Sequence, residues 1–188
     1  MIAIVPYNTL WPEEFKVIGE ELGRVLGEKT LGIHHIGSTS VPGMPAKDII
    51  DIQVTVNNLD IQVLGPLLSA GYTHVAYITC DHQPKGFDVE KEQLEKQFFK
   101  KAGRNINLHV RVQGRFNQQY PILFRDYLRN NSFAANAYAE IKRQLASYFP
   151  DNVQAYYDIK DPVCDAIMAG AYEWAKAVNW APAISDIS

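Results

Sequence analysis

Cysteine is scarce in this 188-residue chain, and the two present, Cys80 and Cys164, lie far apart. That spacing offers neither a disulfide framework nor a paired metal-knuckle, so free thiols in a reducing compartment are the expectation. Apolar residues make up 47% of the chain, yet no uninterrupted run approaches the ~20 residues that a membrane span needs. Met1-Ile-Ala-Ile-Val-Pro6 has no basic segment ahead of its short apolar run, so a secretory leader is not expected. The Gly-Lys-Ser/Thr ending of a Walker loop and the G-x-G-x-x-G fingerprint are both missing. Positive charge is not in excess either: 18 Lys plus Arg stand against 21 Asp plus Glu, a net charge of −3, which excludes a globally basic nucleic-acid coat. The expectation is one cytoplasmic, globular domain with no membrane association.

The average charge conceals an asymmetry. Lys96, Lys100, Lys101, Arg104, Arg111, Arg115 and Arg125 fall in a 30-residue stretch without a single acid, which leaves a net charge of −10 on the rest of the chain. Either the stretch is a solvated face that compensates acidic neighbours, or it is a positive wall for a small anion. A long polyanion such as nucleic acid is disfavoured, because the remainder would repel it.

Pro12, Glu13 and Glu14 open a run in which Phe15, Ile18, Leu22, Val25 and Leu26 recur at helical spacing, and this predicts a helix over 12–26. Leu31 to Ile36 reads as extended, and Ile49 to Val56 as a buried strand, rich in β-branched residues. A helix is expected over 59–70, closed by Gly71, then a strand over 72–79 and a polar loop over 80–95. Residues 97–101 and 106–112 read as strands joined by Gly103-Arg104-Asn105. From Gln118 the pattern turns helical, over 120–130, 133–148 and 161–178, with Asp161 as the N-cap of the last helix and a loosely held tail over 179–188. The fold class is α+β, a small mixed sheet flanked by helices with a helical C-terminal layer: a sheet core over about 10–116 and a helical layer over about 117–178.

Chemistry concentrates in His35-Ile-Gly-Ser-Thr-Ser-Val-Pro-Gly43. Gly37 permits close backbone approach, and Ser38, Thr39 and Ser40 offer donors in a row, which suits phosphate oxygens; the same residues could equally form a capping turn. Asp51 shares a strand face with Gln53, and a carboxylate amid a buried apolar strand needs either a cation or a partner such as Lys47 or an arginine. His109 and Arg111 share a face of the later strand, and Arg125 either pairs with Asp126 or aims at a phosphate.

His35-Ile-Gly-Ser-Thr-Ser-Val-Pro-Gly, Ala46-Lys47, Ile49-Ile-Asp-Ile52, Leu108-His-Val110 and Leu123-Phe-Arg-Asp-Tyr-Leu-Arg129 follow in the order and spacing of the GrpB family of nucleotidyltransferase-like proteins. Val5-Pro-Tyr7 and Trp11-Pro12 also resemble the start of those proteins, and the resemblance spans about residues 4–175. It implies a polymerase-β-like nucleotidyltransferase core that takes an NTP or other small phosphorylated ligand and transfers a nucleotidyl group with Mg²⁺. Carried over position by position, Gly37 and Ser38 match the phosphate loop and Asp51 the first, catalytic and metal-binding carboxylate. The expectation built on these is that Gly37, Ser38, Thr39 and Ser40 take the phosphates, that Lys47, Arg111 or Arg125 balances the charge, and that Asp51 holds Mg²⁺ with Gln53 and His109 as further ligands. Gln53 departs from the D-x-D or D-x-E pair of that superfamily, which opens the alternative of an anion-binding module that has lost its metal pair.

Overall fold

The computed structural model describes residues 1–59 and 61–187. The chain runs through α1 (Trp11–Leu26), β1 (Gly32–Ile36), β2 (Ile50–Val56), α2 (Leu64–Ser69), β3 (Thr73–His74), β4 (Gln97–Lys101), β5 (Ile106–Val112), α3 (Phe116–Asn130), α4 (Ser132–Tyr148) and α5 (Val153–Val178). The sheet order is β1-β2-β5-β4-β3, with β2 and β5 parallel and the other pairs antiparallel. The α+β expectation therefore holds, with a five-stranded mixed sheet. Among the described residues no helix is long and apolar enough to cross a membrane.

The two faces of the sheet differ because side chains alternate along each strand. Ile50, Ile52, Val54, Leu108 and Val110 are fully buried on one face, against Trp11, Phe15 and Leu22 of α1 and Leu67 of α2. On the other face the parallel register sets Asp51 beside Asn107, Gln53 beside His109 and Thr55 beside Arg111. Helices α3 to α5 lie on that polar side, so the sheet meets them through a row of hydrogen-bonding groups.

Two helices begin earlier than their prolines suggest. Pro121 and Pro162 fall in the first turns of the spans expected over 120–130 and 161–178, but both lie inside longer helices. Side chains hold the true start of α3: the Gln93 Oε1 accepts from the Phe116 amide at 3.1 Å, and the Gln118 Oε1 from the Gly114 amide at 3.2 Å. In α5 the N-cap is Asn152, whose Oδ1 accepts from the Ala155 amide at 2.9 Å, so Asp161 is an interior helical residue and not a cap. Conversely, α2 is shorter than expected, because Gly65 and Pro66 leave only a short α-helical segment after a 3₁₀ turn; Asp60, within the expected span, lies outside the described residues. The strand expected over 72–79 is regular at Thr73 and His74, on the sheet edge, and beyond them Val75 and Thr79 keep single backbone hydrogen bonds to Phe98 and Lys96.

The tail is bound, contrary to the sequence-based expectation. Strand β1 is an edge, and an unpaired edge is a liability unless covered. The Asp186 amide donates to the Ile33 carbonyl at 2.9 Å, and the His35 amide donates to Asp186 Oδ2 at 2.9 Å. The Ser185 hydroxyl takes the Ile33 amide at 3.1 Å, and His34 Nε2 meets the Ala183 carbonyl at 2.9 Å. Arg125, 2% exposed, locks this strap to α3: Nη1 reaches Asp186 Oδ2 at 2.5 Å and the His35 carbonyl at 2.9 Å, and Nε reaches Asp126 at 2.8 Å. Breaking a buried pair leaves charge without a partner. Arg125→Met is expected to lower unfolding stability by about 3 kcal/mol, read from the urea midpoint. A change below about 1 kcal/mol would show that the strap is not held through Arg125.

Candidate functional site

A cleft of about 610 Å³ opens between the Gly37 turn, the polar face of β2 and β5, and helices α4 and α5. Gly37 has φ of +71°, and a Cβ built there would stand 2.5 Å from Asp51 Oδ2, so glycine is needed both for its backbone angle and for the carboxylate beside it. Behind it the turn is rigid. The Ser40 hydroxyl donates to the Gly37 carbonyl at 2.5 Å, and the Thr39 hydroxyl donates to the Ile49 carbonyl at 3.0 Å while accepting from His35 Nε2 at 3.1 Å. Burial, reinforced by Arg129 and Arg125, presses the His35 imidazole down to about 3, so it is neutral and serves as a donor. Thr39 and Ser40 thus hold the turn, and Ser38 lies on the cleft wall with its hydroxyl against that of Tyr138.

Asp51 sits half-buried on the cleft floor, with Asn107 Nδ2 donating to its Oδ1 at 2.8 Å. Burial raises its carboxyl above the usual value, against the Asn107 hydrogen bond and the charges of Lys47, Lys160 and Arg111. Five lysines line the same cleft: Lys47, Lys96, Lys100, Lys142 and Lys160, against two acids, Asp51 and Asp161. Lys47 Nζ donates to the Tyr157 hydroxyl at 2.7 Å and lies 5.2 Å from the Tyr156 ring centre. Lys160 contacts Asp161 at 2.6 Å. Burial works against its charge, but Cys164 and Asp161 prevail and hold it at about 12. Lys142, 2% exposed, donates to the Pro45 carbonyl at 2.7 Å and lies 4.9 Å from the Tyr138 ring centre.

Several expected ligand residues are engaged elsewhere. Arg111, 4% exposed, forks onto Asp81 with two contacts of 2.8 Å and donates to Gln53 Oε1 at 2.6 Å, so it does not face a phosphate. Arg125 belongs to the tail strap described above. Gln53 is fully buried, its oxygen held by Arg111 and its Nε2 donating to the Gln118 carbonyl at 2.9 Å. His109 Nδ1 lies 3.3 Å from Lys96 Nζ and 3.2 Å from Arg111 Nη2. Both neighbours are donors, so Nδ1 accepts and the single ring proton is on Nε2. Burial, Arg111 and Lys96 together keep that ring neutral. Neither Gln53 nor His109 is therefore available to a metal. Asp81 holds this node together; burial opposes its charge, but Arg111 and Lys96 outweigh burial and keep it ionised.

Magnesium coordination takes hard oxygen donors, and the two-metal chemistry of nucleotidyl transfer needs a cluster of them. Asp51 has Asn107 presenting an amide N–H to it, and Asp161, the other acid of the cleft, is paired with Lys160. Among the described residues no group of three or more His, Cys, Asp or Glu is placed to hold a metal ion. The residues present do not fit a protein-held magnesium pair.

The basic stretch resolves mainly as charge compensation. Among the described residues six of its seven cations pair with acids, including Lys101 with Glu21, Arg104 with Glu14 and Asp48, and Arg115 with Glu92, and only Lys100 lacks such a partner. The cleft instead draws Lys142 and Lys160 from the helical layer, together with Tyr138, Tyr156 and Tyr157. The traces of these in the sequence were Tyr138–Lys142 and Tyr156–Lys160, aromatic and basic residues four apart on one helix face. Asn107, two positions before His109, was legible only once the β2–β5 register was known.

A dephospho-CoA kinase of Mycobacterium tuberculosis is 35% identical over 195 residues, covering 95% of this chain and 48% of that protein, so the chain spans about half the length of that relative. The crystal structure of the conserved protein GrpB from Enterococcus faecalis superposes with a TM-score of 0.74 at 28% identity, covering 92% of this chain and 98% of the other. Cid1 in complex with its short product ApU superposes with a TM-score of 0.50 at 13% identity, over 81% of this chain and 48% of that one; the likeness is one of fold, which is nucleotidyltransferase-like. The sequence model for the family described as GrpB protein matches residues 1–170, and the chain belongs to that family.

Proposed function

We propose that the chain binds a nucleotide or another small phosphorylated molecule in the Gly37–Asp51 cleft, and that lysines rather than a protein-held metal pair supply the positive charge. The observation that carries this reading is the convergence of five lysines on one cleft beside the Gly37 turn. Phosphate oxygens are strong acceptors, and the Lys ammonium is a point charge with three donors, well matched to them in a partly desolvated site. Lys47 comes from the segment before β2 and Lys160 from α5, and their shared contact with Tyr157 fixes both at little further entropic cost. Ser38 adds a hydroxyl at the turn. The exposed rim carries Lys100, so a polyphosphate could extend outward along it.

The nucleotidyltransferase-like fold supports a nucleotide as the ligand, but the chemistry of the donor set supports binding more than turnover. Gln53 and His109 are locked into the Arg111–Asp81 node, which takes from Asp51 the further donors that would help it hold magnesium between enzyme and triphosphate. Asp51 beside Gly37 is the feature that favours a catalytic alternative, in which magnesium arrives with the nucleotide and Asp51 is its one protein carboxylate.

Titration calorimetry with ATP, GTP and CTP, with and without Mg²⁺, tests the proposal. Binding of at least one is expected in the absence of the metal, and no heat and no thermal shift for any of them would remove the proposal. Asp51→Asn is expected to leave affinity unchanged or to tighten it up to ~10-fold, since it removes an anion from the cleft, about 1.4 kcal/mol at most. A loss of binding seen only in the presence of Mg²⁺ would favour the catalytic alternative. Lys47→Gln and Lys160→Gln are each expected to weaken affinity by ~10-fold, the scale of a charge-assisted hydrogen bond. Unchanged affinity in both would place the phosphate elsewhere.

A further inference from the structure

Lys142 differs from the other cleft lysines. Lys96 pairs with Asp81, Lys160 pairs with Asp161, Lys47 is bonded to the Tyr157 hydroxyl, and Lys100 is exposed. Lys142 is buried and, among the described residues, has no carboxylate partner; its hydrogen bond goes to the Pro45 carbonyl. Around it stand Lys47 from the segment before β2, Tyr138 and Arg143 from α4, and Tyr156, Lys160, Asp161 and Cys164 from α5. Asp161 is taken by Lys160, and Tyr138 and Cys164 share a hydrogen bond of 3.5 Å and are both neutral at physiological pH, their protons held on by burial.

We propose that Lys142 is the nucleophilic amine of the cleft, and that the ligand class is a phosphorylated aldehyde or ketone whose phosphate rests on the neighbouring lysines while its carbonyl carbon meets the Lys142 nitrogen. The inference rests on the phosphate-binding reading above and narrows it. A lysine is a nucleophile only when neutral, and the ways to make it so are desolvation and adjacent positive charge. Both act here: burial first, then Lys160, Arg143 and Lys47, bring the Lys142 ammonium down to about 7. A substantial share is then free amine at neutral pH, whereas an ordinary lysine is neutral in only on the order of one part in a few thousand. With one N–H on the Pro45 carbonyl, the neutral amine keeps a second N–H and its lone pair for a ligand.

The step is a reversible condensation. The nitrogen lone pair adds to the carbonyl carbon, the nitrogen gives up its two hydrogens to the carbonyl oxygen, the oxygen leaves as water, and a C=N bond remains. No oxidant, reductant or metal enters. The phosphate supplies the binding that brings a weakly electrophilic carbonyl to the amine at high effective concentration.

Pyridoxal 5′-phosphate, a phosphorylated aldehyde, is the probe. The full chain is treated with it between pH 6 and 9, reduced with borohydride, which converts the imine to a stable secondary amine, and digested for mass mapping. Modification of Lys142 at pH 7 is expected to exceed that of exposed Lys16 and Lys85 by at least 10-fold, with a midpoint near pH 7. Pyridoxal without the phosphate is expected to label it at least 10-fold less, and inorganic pyrophosphate to suppress labelling. Lys142→Arg, which keeps the charge and the donor to Pro45, is expected to abolish the imine absorbance; the wild-type map does not depend on that variant folding. Equal labelling of Lys142 and the exposed lysines overturns the inference. Pyrophosphate bound by calorimetry with Lys142 unmodified overturns it while leaving the phosphate reading intact. Lys142 labelled equally by both aldehydes and unprotected by pyrophosphate overturns the phosphate reading.

Discussion

The guanidinium of Arg111 donates to Asp81, Gln53 and His109 within one buried node, and the polar face of the sheet depends on it. A five-stranded sheet packed on both sides would ordinarily be apolar on both. Here β2 and β5 present Gln53, Thr55, His109 and Arg111 to the helical layer. Each such group is costly to bury without a partner. Asp81, on the loop before β4, supplies the charge that permits Arg111 to be there, and Asn117 of α3 adds a donor at 3.0 Å. Such a node contributes little net stability beside a well-packed apolar core, but it discriminates strongly between registers. Slipping β2 by one residue against β5 would set Ile52 or Val54 where Gln53 meets Arg111, and would turn the carboxamide into the α1 core.

The same node decides the character of the cleft. By holding Gln53 and His109 it takes two oxygen and nitrogen donors away from Asp51, and by holding Lys96 at 2.6 Å from Asp81 it fixes an ammonium close to the cleft floor. The positive charge next to Asp51 is thus built into the protein. A fixed cation needs no recruitment and exchanges no water shell, but it cannot bridge attacking and leaving oxygens as a metal pair does.

What the sequence made legible follows the range of the interactions involved. The α1 amphipathic stripe, the β-branched β2 and the β4–β5 hairpin are local patterns, and each forms where the periodicity places it. Gly37, Ser38, Lys47 and Asp51 were legible as a group because they lie close together in the chain. Most errors came from long-range partners. The expected starts at 120 and 161 lie too late because the start of α3 is held by Gln93, remote in sequence, and because α5 continues through Pro162 from a local cap, Asn152, well ahead of it. The tail looked loose because its partner, the β1 edge, lies about 150 residues away. Arg111 looked free because its carboxylate, Asp81, is not its neighbour in sequence, and for Arg125 the adjacent Asp126 was legible as a partner while the remote Asp186 was not. An acid-free stretch of sequence is not an acid-free region of space.

Asp51 has a physical role even without a metal. Lys47 and Lys160 meet at Tyr157 in a cleft that also holds Lys96 and Lys142, and in the absence of a counter-ion their mutual repulsion disfavours that arrangement. A single carboxylate on the floor offsets that repulsion in the empty cleft, and Asn107 holds it in place with a hydrogen bond of 2.8 Å. Burial disfavours the charged form, while the lysines favour it. A phosphate on Lys47 and Lys160 competes with Asp51 for the same cations, so the carboxylate that offsets repulsion in the empty cleft is a cost in the occupied one.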